Sequence, residues 1–541
     1  MMLDTESSAA SEQQARRSAA YYQTGFWRPG DLWSSISAVA HRDPGRVALI
    51  CDDRTIGYAE LISSSARIGS ALAQRGLRAG DVVVIHARNS IESVQALLAC
   101  AYVGAVITPI PPMFSRAQVA SIIGSAGAKA VIGLGEPKEL EQLIHGAREA
   151  KSVEAIIVPE SFADGIRTLS WSTLHSLATP QPRTPVIPEA LALLVYSSGT
   201  TGQPKGVMHS ANTVRYAIEQ RSRLHGVTAR DTCLVVSQFG FVGSAVFGLM
   251  AGLLNGTTSV LLRGWDPDRA IRAIEKYRVS YAHFMPTHTH DVLSSATLDH
   301  ADVSSFYRGA LGGLTAERRL EARARLCPRP LPSYGMSECL GNSTCALEDR
   351  LQRILASDGR PFPGTELVVL TEQGEPAQAN EVGALHVRGP SRFLGYFGAP
   401  ELTREALTPD GFFRTGDFGS LDEDGYLTFA SRAKDIIRRG GVTIFPAEVE
   451  AILMTHPDIA HIAIVGTPDE RLGERACACI IPKGDRPVTL EAVTHFLQIR
   501  GVARYLWPER AAMFETFPRT PSLKVQKRAL IEELRQRDTA G

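Results

Sequence analysis

Ser197–Gly206 reads SSGTTGQPKG: four hydroxyls, three glycines, one proline and one lysine in ten positions. The apolar run Leu191-Ala192-Leu193-Leu194-Val195-Tyr196 precedes it, with the length and composition of a buried strand. A buried strand that opens into a Gly/Ser/Thr-rich loop ending in lysine is suited to holding a polyphosphate. Glycines let backbone N–H groups approach the anion, and successive N–H groups form an anion-binding concavity. Hydroxyls add donors, and lysine adds a mobile point charge. The stretch is not a Walker A loop, because Gln203 and Pro204 separate Gly202 from Lys205 and Gly206 follows the lysine.

Outward from this loop, residues 21–190 alternate helical stretches with short apolar runs. Asp81–Ile85, Ala105–Pro109, Ala130–Ile132 and Ala155–Val158 read as strands, and Ser90–Ala101 as a helix between two of them. Such alternation implies right-handed βαβ units around a largely parallel sheet. Beyond the loop, Phe241–Leu262 is apolar but broken by glycines, and reads as helix, turn and strand, not as a membrane span. Near residue 360 the texture turns to β alternation with dense Gly and Asp punctuation. Residues 433–541 carry their own pattern of two helices and two strands. The expected fold is α/β: a large N-terminal domain of βαβ-built sheets over 21–432, with a β-rich subdomain at about 360–432. A small, mobile α+β domain follows over 433–541, and residues 1–20 are expected to be a disordered leader.

A chain of 541 residues exceeds what one core usually serves. Its formal net charge is zero, which gives no sign of nucleic-acid or membrane-surface binding. The start is acidic and polar, without the pattern of an export signal. The eight cysteines lack metal spacing and read as reduced thiols of a cytoplasmic protein. His288-Thr289-His290 has no third ligand nearby, which disfavours a metal.

Four further stretches carry chemistry: Ser333-Tyr334-Gly335-Met336-Ser337-Glu338, Phe413-Arg414-Thr415-Gly416-Asp417, Ser431-Arg432-Ala433-Lys434-Asp435, and Pro518-Arg519-Thr520-Pro521-Ser522-Leu523-Lys524. Each alone is ordinary surface or turn chemistry. Lysine is scarce, however: nine of 57 basic residues, with Lys205 in the loop and Lys434 and Lys524 inside these stretches. Together and in this order, the motifs resemble the adenylate-forming superfamily of acyl-CoA synthetases, adenylation enzymes and luciferases, over roughly residues 21–530.

The resemblance implies a site. The loop residues Ser197, Ser198, Gly199, Thr200, Thr201, Gly202 and Lys205 would grip the triphosphate of ATP, with Thr200 acting in catalysis. Gly312 and Gly313 would lie beside the nucleotide. Tyr334 would stack on adenine, Ser337 would contact the α-phosphate, and Glu338 would hold Mg²⁺. Asp417 and Arg432 would bind the ribose. Lys434 would be the hinge, and Lys524 would bind the substrate carboxylate and ATP oxygens. Phe239, Gly240, Phe241, Leu311 and Gly335 would shape the acid pocket.

Three departures stand out. Leu523 precedes the terminal lysine where relatives carry glycine. Gly240 stands where relatives carry His, Asp or Asn, and offers nothing to a substrate amino group. Leu311 adds bulk while Gly240 removes it. The expectation is a reshaped, apolar pocket for an aryl, alicyclic or medium-chain acid. The implied reaction is ATP-dependent formation of acyl-AMP, then transfer to coenzyme A. The chain stops soon after Lys524, so no fused carrier domain is expected. An amide synthetase that uses an amine is the alternative reading, and a silent nucleotide-binding protein the third. The resemblance leaves a homodimer open.

Overall fold

The computed structural model describes residues 14–163, 167–176, 182–197, 204–439, 442–469, 471–484, 486–520 and 525–540. Its contacts divide into two units: the described residues of Met1–Leu367 with Val387–Phe413, and those of Val368–His386 with Arg414–Gly541.

The first unit holds an eight-stranded and a seven-stranded sheet among its described residues. In the former, Val82–Ala87 lies between Val106–Ile110 and Ala130–Leu134, all parallel. Ala155–Val158 and Thr168–Ser170 extend it with parallel pairing. The parallel strands are apolar along nearly their whole length because helices cover both faces. The helix Ile91–Val103 joins two of them. Ser90 caps its N-terminus by accepting from the Ser93 N–H, and Gly104 ends it at φ 82°.

The strand expected before the loop is Leu191–Ser197. It pairs parallel to Val106–Ile110 and antiparallel to Lys205–Ser210. Lys205 and Gly206 are therefore the start of a strand, not part of the loop, and Ser197 sits opposite Lys205 in register. On its other side Lys205–Ser210 pairs with the short edge strand Gly395–Tyr396.

The seven-stranded sheet runs Arg329–Leu331, Arg308–Leu311, Tyr281–Phe284, Thr232–Val235, Thr258–Leu261, Val47–Cys51, Arg54–Gly57. Its pairs are parallel except the last. The helix Ala211–Leu224, capped by Ser210, packs against Leu191–Ser197 and Lys205–Ser210 of the eight-stranded sheet. The stretch after Phe241 is a helical turn, a π turn at Ala245–Met250 and a helix at Ala251–Asn255, followed by the strand Thr258–Leu261. Among the described residues no helix is long and apolar enough to cross a membrane.

The leader expectation needs correcting. Residues 14–23 form a helix. Arg17 donates to the Asp410 carbonyl, Gln14 accepts from Arg392, and the Tyr21 and Tyr22 rings pack edge-on against Trp27. The polar side chains of this helix find partners far along the chain, at Asp410 and Arg392, which local composition does not reveal. Residues 1–13 lie outside the described residues.

In the second unit the long hairpin Ile459–Asp469 and Gly473–Pro482 is the centre, with Arg510–Met513 parallel beside it. Ile464, Ile480 and Ala478 point to one face with Leu453 and Val493. Cys477 and Cys479 point to the other with Phe514 and Leu530, as their spacing in a strand requires. Phe413–Leu421 pairs antiparallel with Leu427–Arg432, opposing Asp417 to Arg432.

Candidate functional site

In the first unit three residues from separate parts of the chain meet. The Tyr396 hydroxyl donates to Glu338 Oε1 at 3.0 Å, and Lys205 Nζ lies 5.4 Å from the centre of the Tyr396 ring. Pairing of Gly395–Tyr396 with Val207 and Met208 brings the tyrosine here, and the Thr403 hydroxyl accepts its backbone N–H. Burial, and then the charge of Glu338, push the phenol pKa up, so the hydroxyl stays protonated and remains a donor. The ring carries the lysine's charge on its face, and its tip holds the carboxylate. Nothing local in the sequence marks Tyr396, which follows a glycine in an edge strand of two residues. Sequence reasoning missed it.

The stretch carrying Glu338 is fastened from below. His209 is fully buried, with Nε2 2.7 Å from the Ser337 carbonyl and Nδ1 3.2 Å from Thr213 Oγ1. Burial lowers its pKa to about 4, so it is neutral, and the carbonyl partner assigns the proton to Nε2. The Glu338 carbonyl accepts from Phe393 N–H at 2.7 Å. Tyr334 is buried in the strand Ser333–Tyr334, its carbonyl accepting from Asn342 N–H at 2.9 Å. Ser337 and Glu338 are half-buried and Gly335 is exposed. Gly312 and Gly313 follow the strand Arg308–Leu311. A Cβ on Gly312 would stand 2.7 Å from the Ser333 carbonyl oxygen, so only glycine lets these two stretches approach.

The pocket residues fall differently from expectation. Phe239 is fully buried in the core between the two large sheets' helices, with Val235, Val246 and Leu249. Leu311 is fully buried with Phe284, Phe306 and Ile274, in the core on the other face of its sheet. It adds core packing there, not bulk in a pocket. Gly240 has φ 101°, and a Cβ on it would lie 2.3 Å from the Pro111 nitrogen. Its missing side chain frees no space, because the backbone of Ile110–Pro111 already fills it. Phe241 caps the helical turn that follows. A cavity does lie beside this segment, and it is not wholly apolar: its wall includes Arg221 and His283 along with Val235, Phe247 and Tyr281.

In the second unit Asp417 and Arg432 stand opposite each other. Arg432 Nε is 3.8 Å from Asp417 Oδ1, and the Asp417 N–H donates to Thr415 Oγ1 at 3.0 Å. Asp417 is buried and Arg432 half-exposed, the geometry of an anchored acceptor beside an adjustable cation. Lys434 is exposed in the turn Ala433–Asp435. Lys527 is engaged, 2.6 Å from Glu450 Oε1. Ser198, Gly199, Thr200, Thr201, Gly202 and Lys524 lie outside the described residues, as does the side chain of Ser197.

A metal has a partial seat. Mg²⁺ takes one or two carboxylates and completes its shell with phosphate oxygens and water. Among the described residues no group of three or more His, Cys, Asp or Glu could hold a metal. A single carboxylate steadied by a tyrosine fits an ion held mainly by a triphosphate, and does not fit a protein-caged one.

Residues 36–397 match the AMP-binding enzyme family, and residues 448–524 match the AMP-binding enzyme C-terminal domain. The medium-chain fatty-acid–CoA ligase of Escherichia coli (strain K12) is 29% identical over 97% of this chain and 94% of its own. The salicyl-AMP ligase / salicyl-S-ArCP synthetase of Mycobacterium tuberculosis is 31% identical over 96% and 94%. An ATP-bound RpMatB-BxBclM chimera superimposes with a TM-score of 0.84 at 25% identity, covering 94% of this chain and 99% of that one. This chain belongs to the AMP-binding enzyme family, and so to the adenylate-forming ligases that its motifs resemble. Its α/β class is the one expected from the sequence.

Proposed function

We propose that this chain activates a carboxylic acid of aryl, alicyclic or medium-chain size with ATP, forming acyl-AMP and pyrophosphate, and passes the acyl group to coenzyme A. The Lys205–Tyr396–Glu338 group carries the reading. It sets a cation and a carboxylate on opposite parts of one tyrosine, at the base of a loop whose composition suits a triphosphate.

In this reading the substrate carboxylate attacks the α-phosphate and the pyrophosphate leaves. Lys205 and the Ser197–Gly202 loop hold the leaving phosphates, and Lys524 faces the charge that grows at the α-phosphate. Glu338 would hold Mg²⁺, which when bound neutralises phosphate charge. Tyr396 keeps that carboxylate aimed. Tyr334 and Ser337 flank the nucleotide, and Asp417 and Arg432 take the ribose hydroxyls. Lys434 is the hinge at which the segment 433–541 exchanges Lys524 for the acceptor. The thiol of coenzyme A then attacks the acyl carbonyl and AMP leaves. The CoA ligase relative supports this acceptor.

Acid-dependent exchange of labelled pyrophosphate into ATP tests the first half. Lys524→Ala is expected to slow exchange by about 100-fold or more while sparing thioester formation from supplied acyl-AMP. Equal loss of both halves would remove the role given to Lys524. Product analysis with coenzyme A, an amine or a carrier protein tests the second half, and an acyl product only with the amine or carrier would overturn the CoA reading.

A further inference from the structure

Arg221 is a buried cation without a counter-charge among the described residues. It sits in the helix Ala211–Leu224 with 6% of its surface exposed, and its Nε and Nη1 have no partner among the described residues. The guanidinium carbon lies over the Phe247 ring, 3.5 Å from its centre. Its cavity, of about 20 Å³, has no carboxylate among its lining residues. His283, on the opposite wall, also has an unpartnered Nδ1. Burial and then Arg221 itself lower the His283 pKa to about 3, so the imidazole is neutral and adds no charge. Burial lowers Arg221 only to about 10, so it is charged at neutral pH.

Buried charges in proteins are paired, because an unpaired one loses its hydration with nothing in return. A ring face compensates part of this and leaves the in-plane N–H groups unused. Those N–H groups want oxygen, and a planar guanidinium matches a carboxylate best.

The cavity also lies next to the segment that carries the acid-pocket motif. A Cβ on Gly243 would stand 3.0 Å from Ser237 Oγ and 3.4 Å from His283 Nδ1, and both of those atoms are buried and unpartnered. Ser237 Oγ and His283 Nδ1 thus flank Gly243, and His283 shares with Arg221 a cavity whose wall is mostly apolar, with Ser222, Asn255 and Tyr281 as its other polar members.

We infer that Arg221 is the specificity residue of the acid pocket, and that the substrate carries a second carboxylate which Arg221 receives. The inference rests on the proposed acid activation and names its substrate class: a dicarboxylic acid, one end adenylated and the other held at Arg221. The small volume admits the tip of a substrate, a carboxylate oxygen and little more, so the rest of the acid lies towards Gly243.

The test uses pyrophosphate exchange with paired substrates, each an aliphatic or aromatic diacid and its own monomethyl ester. The ratio of kcat/KM within a pair cancels any general loss of active protein. The wild-type chain is expected to prefer the diacid in at least one pair by about tenfold or more, and Arg221→Met to lower that ratio by about 10- to 100-fold, the worth of a hydrogen bond to a charged group. Wild-type ratios at or below one in every pair would overturn the inference, as would an unchanged ratio in Arg221→Met. Both results would mean that the cavity holds only water. Arg221→Lys, which keeps the charge and loses the fork, should fall between the two. Thermal shift of the wild-type chain with diacid or ester alone is the independent arm: stabilisation by the diacid only supports the inference, and equal shifts oppose it. This arm also decides should Arg221→Met not fold. If no acid of any kind supports exchange, the proposed acid activation fails, which is a separate result.

Discussion

Two arginines of the first unit are almost equally buried and differ in every other respect. Arg308 starts a strand of the seven-stranded sheet, and its Nη2 meets Asp231 Oδ2 at 2.8 Å. It also donates to the carbonyls of His225 and Gly226. Asp231 is satisfied in turn by Thr228 N–H and the Ser280 hydroxyl, both at 2.7 Å. Arg221, on the helix Ala211–Leu224, has a ring face and no acid among the residues that line its cavity. Tyr281 touches both settings: it lines the Arg221 cavity, and its ring lies 6.0 Å from the Arg308 guanidinium. The contrast separates two uses of one residue type. A buried cation with its own carboxylate is finished structure, whereas one without it is poised for a ligand.

The sharpest way to break this contrast is to orphan the paired arginine. Asp231→Ala leaves Arg308 charged and alone, and should destabilise the chain by about 3–5 kcal/mol in urea unfolding. Arg221→Met, without acid present, should lose no stability, because it removes an uncompensated charge and keeps apolar bulk. Comparable losses from both would show that Arg221 has a hidden structural partner.

A third cation offers the next test. Lys205 rests on Tyr396, whose hydroxyl steadies Glu338. Tyr396→Phe keeps the ring and deletes the hydrogen bond, a loss of about 1.5–3 kcal/mol for a charged acceptor. The expected signature is a rise in the Mg²⁺ concentration needed for half-maximal ATP binding, read by calorimetry, with ATP affinity in the absence of metal nearly unchanged. An equal weakening with and without metal would assign Tyr396 to packing alone.

Smaller effects follow from acid. His86, His209 and His288 are pushed down to about 4 and His283 to about 3 from an ordinary 6.5, in each case chiefly by burial. Below 6.5 the unfolded chain takes protons that the folded chain refuses. The stability these histidines confer is therefore complete above pH 6.5, and is lost as the pH falls from 6.5 through about 4. Urea midpoints measured across that range should fall steadily, and a flat profile would contradict the buried neutral state. The smallest effect links back to the arginines. Removing Arg221 removes a repulsion on His283, so Arg221→Met should raise the His283 pKa in an NMR titration, whereas a distant substitution such as Arg272→Met should not.

The parallel strands and their helices were legible in the sequence, because an apolar run between turn signals is a local property. The helix read as Ser90–Ala101 was legible for the same reason, and the structure starts it after the Ser90 cap and ends it at Gly104. The leader was misread because residues 14–23 are held by Asp410 and Arg392, which lie far along the chain, as well as by the adjoining Trp27. Leu311 and Gly240 were misread because a departure from a motif says that something differs there and not where the side chain goes. Packing sends Leu311 into the core and closes the Pro111 backbone over Gly240.

The sequence alone determined the kind of chemistry. Strand-forming residues at 191–196, a phosphate-seeking loop and motifs in a fixed order are one-dimensional facts, and they suffice to define an adenylate-forming ligase. The tertiary structure decided which charges are finished and which are waiting. Asp231 lies ten residues from Arg221 along the chain, yet it folds onto Arg308; Tyr396 comes from an edge strand to bridge Lys205 and Glu338. Whether a cation is paired depends on what packing brings within hydrogen-bond reach after water has gone, and neither distance nor dehydration is written in local sequence.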